Sequence, residues 1–241
     1  MKGFFDRYYQ KCMKIGGGHF NLLLISLILL FIFRPYDRGT LYLAIWQLFL
    51  FAVFVAATLN CNHSKKTKIV ASCIAVPALV FQWLNLIFNT KILALPFLFL
   101  TIVFVFIITG SIIKRVVLNA RVKMETLIGV VCAYFMVAFG FSFAYFFVDL
   151  ITPGSFYFAN IDPTLITHSH YLSEMMYFSF VTLLCIGYGD ILAIKDVAQT
   201  CAILEGIIGQ FYIAILVSRL VAVYSFFEHK LHLVAHNPKD R

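Results

Sequence analysis

Residues 184–191 read L-C-I-G-Y-G-D-I. A glycine on each side of Tyr188 lets successive backbone carbonyls turn the same way, toward one axis, which residues carrying a Cβ resist. Several such strands around a symmetry axis would form stacked rings of oxygen able to replace the water shell of an ion. Two other groups have types that could do chemistry. Glu205 stands well inside an apolar run, where a carboxylate is costly enough to be a functional hypothesis by default. His168 and His170, in H-S-H, come nearest to a metal-binding spacing, but on a loop tip they read as solvated turn residues able to confer pH sensitivity. No paired acid and base stand out and no C-x-x-C occurs, so neither an enzyme nor a metal centre is expected.

The elements that must position these residues are set by hydropathy. The chain has 241 residues, of which 62% are hydrophobic and 12% charged, and its mean hydropathy is +0.92. No water-soluble domain of this size would carry such a surface. A bilayer core about 30 Å thick takes about 20 apolar residues of helix to cross. Six runs of that kind lie between charged punctuation, at 19–34, 40–59, 69–89, 92–113, 125–149 and 197–224. Lipid offers no partner to an open backbone, so these are expected as helices in an all-α integral membrane fold. A seventh apolar segment, 173–184, is too short to cross and fits a re-entrant helix, with Ser173 as its cap.

Charge sets the orientation. With the amino terminus inside, the inner side holds Lys2, Arg7, Lys11, Lys14, Lys65, Lys66, Lys68, Lys114, Arg115, Arg121, Lys123, Arg219, Lys230, Lys239 and Arg241. Only Arg34, Arg38, Lys91 and Lys195 remain outside, and this division of 15 against 4 places both termini in the cytoplasm. The net charge of +8 is then mostly topogenic; spread over separate loops, it forms no stripe for nucleic acid. Residues 1–18 lack the apolar core of a signal peptide and read as an interfacial segment with three glycines at its end, or as a frayed tail. None of the six cysteines falls in the outer loop 150–172, so no disulfide framework is expected.

The order of outer helix, short descending helix, glycine strand and inner helix carries a family likeness. Residues 125–224 resemble the pore domain of the tetrameric pore-loop potassium channels. Y-F-S-F-V-T-L-L-C-I-G-Y-G-D is similar to that family's signature, with Leu184 and Cys185 where two threonines are usual and Ile186 where valine is usual. The resemblance implies a homotetramer whose filter is Cys185, Ile186, Gly187, Tyr188 and Gly189, with dehydrated K+ held by the carbonyls of the first four. It implies that Asp190, behind the outer mouth, is braced by a donor on the short helix, for which Tyr177 is the candidate. Phe178 beside it reads as packing, and Val181 stands where some relatives carry an acid. Cys185 replaces a hydroxyl that completes the innermost ion site; a thiol is a poor ligand for a hard cation, so that site is expected to be weak.

The resemblance also points to Gly209, twenty residues after Gly189, as the place where the inner helix bends, with Gly206 as the alternative. Ile213, Val217 and Val221 recur every four residues along one face, as a hydrophobic gate or a packing stripe would. Gln210 is a candidate for lining the cavity. Glu205 is either a hydrogen-bonding brace or a proton-sensitive gating acid.

The first four helices, 19–115, match a voltage-sensing domain in number only. No Lys, Arg, Asp or Glu occurs from Ile92 through Ile113, whereas a sensing helix needs a ladder of arginines. A linker, 116–124, joins them to the pore. After Tyr224 the tail 225–241 has seventeen residues, too few for a ligand-sensing domain. These features predict a K+-selective channel of a bacterial inner membrane, multi-pass, with little voltage dependence, membrane lipids around it and no cofactor besides the permeant K+. A less selective cation channel and a non-conducting regulatory subunit are the alternatives.

Overall fold

The computed structural model describes residues 19–33, 40–60, 65–88, 91–118, 124–159 and 168–235. The expected interfacial segment 1–18 lies outside them, as do residues 119–123 of the linker and much of the outer loop. Helices fill the apolar runs: α1 His19–Ile32, α2 Thr40–Asn60, α3 Lys65–Phe88, α4 Lys91–Leu118 and α5 Met124–Ile151. Then come β1 Phe156–Phe158, α6 His168–Leu183, β2 Ile191–Ala193 and α7 Asp196–Ala235. By length and composition α3, α4, α5 and α7 can cross a membrane, while the apolar parts of α1 and α2 are shorter.

Three boundaries differ from the sequence reading. The short helix α6 starts at His168, so Ser173 lies within it, fully buried, and does not cap it. Helix α7 runs forty residues to Ala235, about 60 Å at 1.5 Å per residue, twice the thickness of a bilayer core. An all-helical expectation also left out β1 and β2, which pair antiparallel with Phe156 opposite Ala193 and Phe158 opposite Ile191. This pair ties the chain after the glycine segment to the chain after α5.

Helix α5 is the centre of the structure. Two thirds of Leu127–Ile151 is buried, 67% against 11% for Asp196–Leu216 in α7. Both α1 and α4 pack on α5, and α2 and α3 complete a ring of neighbours, so α1–α4 share their core with the outer helix of the following segment. Small residues allow the approach. A Cβ at Gly140 would stand 3.1 Å from Val105 of α4, and one at Gly129 would stand 3.3 Å from the Phe20 ring of α1. Between apolar helices in lipid, such close packing is the main source of association. Aromatic rings fill the rest: Phe54 stacks on Phe104 at 4.4 Å, and Phe97 and Phe106 of α4 meet Phe143 and Phe141 of α5 edge-on.

Gly140→Leu should therefore pry α4 from α5 at an overpacking cost of about 1–3 kcal/mol. A lowered thermal midpoint of the purified protein in detergent, with Gly110→Leu as a control in open space, checks this.

Candidate functional site

The carboxyl end of α6 sets how the glycine segment begins. Leu184 N–H donates to the Phe180 carbonyl at 3.0 Å, continuing the helical ladder. Cys185 N–H then donates to Thr182 O and Ile186 N–H to Val181 O, both at 2.9 Å. This nested pair is the Schellman termination, which needs a left-handed residue at the turn. Cys185 is that residue, with φ of 55°. Glycine is usual there because a Cβ costs about 1–2 kcal/mol in that region.

The same handedness recurs at alternate residues. Gly187 has φ of 63° and Gly189 of 81°, while Ile186 and Tyr188 between them keep negative φ. A strand with uniform φ sends its carbonyls alternately to either side; one alternating in handedness sends its peptide dipoles to the same side. A Cβ at Gly187 or Gly189 would meet nothing within 4 Å, so glycine is there for its dihedral angles and not for space. Among the described residues, no carbonyl from Leu184 through Gly189 accepts a backbone hydrogen bond. All six of these residues are exposed in the single chain, Tyr188 by 67%.

The far end is pinned. Tyr177 Oη donates to Asp190 Oδ2 at 2.7 Å, and Asp190 Oδ1 accepts from Ile191 N–H at 3.1 Å. The Asp190 carbonyl accepts from Ala159 N–H at 2.9 Å, beside the strand pair. The Tyr177 and Tyr188 rings lie nearly parallel, 3° apart in plane and 6.4 Å between centroids. Desolvation and then the bond to Asp190 push the Tyr177 hydroxyl up to about 12, so it keeps its proton and donates at physiological pH. Phe178 packs edge-on against Tyr145 and Phe156, and Val181 is buried.

Helix α7 presses against this assembly. A Cβ at Gly209 would collide with the Leu183 carbonyl oxygen, which also accepts from Tyr134 Oη at 3.2 Å. Helix α7 is continuous through Gly209, and a Cβ at Gly206 would meet open space. Tyr212 donates to the Val130 carbonyl of α5. Glu205 is fully buried between α5 and α6, with Tyr145 Oη 2.5 Å from one carboxyl oxygen and Ser179 Oγ 2.5 Å from the other. Gln210 and Ile213 are exposed in the single chain, whereas the side chains of Val217 and Val221 lie outside the described residues.

At the outer start of α6, His170 Nε2 lies 3.4 Å from Glu174, and the His168 side chain lies outside the described residues. No group of three metal-ligating side chains occurs among the described residues. Sequence reasoning missed Tyr145, Ser179 and Tyr134. The one signal available was Glu205 itself, since a buried acid requires hydroxyl or amide neighbours.

Residues 124–225 match the family model described as "Ion channel". The match supports placing this stretch with the pore-loop channels that its motif resembles. No curated protein and no solved structure matches the chain.

Cys185→Gly keeps the termination geometry without a Cβ and should raise the thermal midpoint, while β-branched Cys185→Val should lose about 1–2 kcal/mol. Melting curves of the three purified proteins, compared side by side, check the order.

Proposed function

We propose that this chain is the subunit of a homotetrameric K+ channel in a bacterial inner membrane, with six spans and both termini cytoplasmic. The observation that carries the reading is the stretch Leu184–Gly189. Its carbonyls have no backbone hydrogen-bond donor among the described residues, its handedness alternates, and it lies between two helices able to cross a membrane. Unpaired carbonyls are tolerated at membrane depth only where protein or a watery path surrounds them. A cation shedding its water is the partner such oxygens suit.

One strand cannot encircle an ion, and closed symmetry is the usual solution. The apolar face that α7 leaves open, with Ile203, Ile207 and Phe211 all exposed, then meets neighbouring copies, and Gln210 faces the cavity. Cys185, Ile186, Gly187 and Tyr188 supply the ion-binding carbonyls. Asp190 and Tyr177 brace the filter from behind, and Ile213, Val217 and Val221 form the constriction below. With no charge between Ile92 and Ile113, α4 has nothing for a membrane potential to move, so voltage dependence is weak. Cys185 favours a second reading, a less selective cation channel, because its thiol offers no hard ligand at the inner end.

Reconstitution of the pure chain in liposomes tests both through K+ and Na+ flux. Selective K+ flux is expected; equal fluxes sink the selective reading, and no flux from an intact tetramer assigns a regulatory subunit instead. Tyr177→Phe removes a hydrogen bond to a carboxylate, of about 1.5–3 kcal/mol. It should lower the ratio of K+ to Na+ flux while leaving the tetramer assembled on gel filtration.

A further inference from the structure

Three helices meet at Glu205, and the oxygen contacts there can be counted against the protons available. Tyr145 Oη lies 2.5 Å from Glu205 Oε2, and Ser179 Oγ lies 2.5 Å from Oε1. Ser179 Oγ also lies 2.7 Å from the Ala138 carbonyl oxygen of α5. Two oxygens at such distances need a proton between them. A carbonyl brings none, and each hydroxyl brings one. Tyr145 and Ser179 thus supply two protons for three contacts. Ser142 also donates to Ala138 O, at 2.8 Å, but spends its own proton there. Were Glu205 ionised, Ser179 would turn its proton to the carboxylate and leave its lone pairs facing those of Ala138 O.

We propose that Glu205 is an uncharged, protonated acid that positions α6. Its Oε1–H donates to Ser179 Oγ, Ser179 donates to Ala138 O, and Tyr145 donates to Oε2. The chain of bonds runs from α7 through α6 into α5, each member both giving and receiving where its chemistry allows. Its surroundings agree. Among the described residues, the titratable groups within electrostatic reach are Tyr145 and Tyr134 on α5 and Cys201 on α7, uncharged at pH 7 at their ordinary pKa values, and α6 contributes Ser179. Among the described residues no lysine, arginine or histidine forms an ion pair with Glu205. A carboxylate this buried with no cation beside it would bear the full cost of desolvation.

The consequence for function rests on the channel reading; the proton does not. A neutral acid ties the inner helix to the filter-bearing helix without adding negative charge beside the ion path. Conduction is then insensitive to removing the carboxyl group's capacity to ionise, but dependent on its two hydrogen bonds.

The test is infrared difference spectroscopy of the full chain in lipid at neutral pH, wild type against Glu205→Gln, with K+ flux measured on the same samples. A carbonyl stretch of protonated carboxylic acid is expected in wild type alone, and Glu205→Gln, which can donate to Ser179 and accept from Tyr145, should keep wild-type flux. Glu205→Leu should lose it. Tyr145→Phe, which leaves the acid in place, should shift the band to higher frequency, because the carbonyl loses its donor. A carboxylate band in place of the acid band overturns the protonated assignment, and an unshifted acid band in Tyr145→Phe overturns the bond from Tyr145 to Oε2. Loss of flux in Glu205→Gln as complete as in Glu205→Leu overturns the positioning role. The acid band in a protein that passes no ion leaves the proton in place and removes the channel.

Discussion

Lipid forbids an open backbone, yet among the described residues no backbone donor reaches the carbonyls of Leu184–Gly189. The rest of the architecture follows from that constraint. Helix α6 has to stop inside the protein, so its last carbonyls are closed by the turn at Cys185 and by Tyr134. The chain has to return without forming a strand partner along the segment, so pairing resumes only at Ile191, opposite Phe158. Between these two anchors, left-handed residues at 185, 187 and 189 set the course of the backbone. A segment held at both ends, whose carbonyls take no backbone hydrogen bond among the described residues, keeps its shape through its dihedral angles and the side chains behind it. This makes the pairing of Tyr177 with Asp190 matter more than an isolated hydrogen bond would.

Among the described residues, mechanical connection to the first four helices runs through aromatic rings. Phe31 of α1 lies 4.6 Å from Phe180 of α6, centroid to centroid, and Phe180 also meets Phe135 and Phe139 of α5. The Phe180 carbonyl accepts the Leu184 amide, so this cluster sits directly behind the start of the glycine segment. Packed aromatic contacts are short-ranged and have discrete arrangements. A displacement of α1 therefore reaches α6 sterically. From Ile92 through Ile113, α4 carries no charge on which an electric field could act in the same way.

How far the sequence could be read depends on the range of the determining interaction. Helices α1 to α5 are legible because each is an apolar run punctuated by charge. The contact of Tyr177 with Asp190 is readable through the family resemblance, which implies an aromatic donor on the short helix behind Asp190. The β pair was not readable: three residues per strand give no periodicity, and pairing depends on an outer loop folding back. Ser173 looked like a cap only because the polar residues before it, H-S-H-Y-L, resemble a loop, whereas they form the first turns of α6. The left-handed turn at Cys185 was hidden since it depends on where α6 ends, a boundary that composition places only within a few residues. Glu205 announced a need for partners, but Ser179 and Tyr145 lie 26 and 60 residues away, beyond any local pattern.

Glycine in α7 has two distinct physical settings. At Gly209 the missing side chain lets the helix lie against the Leu183 carbonyl, at the very end of α6. Any bend of α7 at that point changes its distance from a carbonyl that Tyr134 also holds, and Cys185 is only two residues further along the chain. At Gly206 the same absence faces open space, so α7 can deform there without disturbing α6 through a new contact. Glu205, one residue before it, is bonded to both α5 and α6. The helix is thus clamped at Glu205 and again at Gly209, with its more compliant glycine between. A bend between two clamps leaves the carboxyl end of α6 in place, whereas a bend beyond the second swings the lower half of α7 against it as a lever. Which of the two glycines yields decides whether a movement of α7 reaches Cys185 or stays within α7.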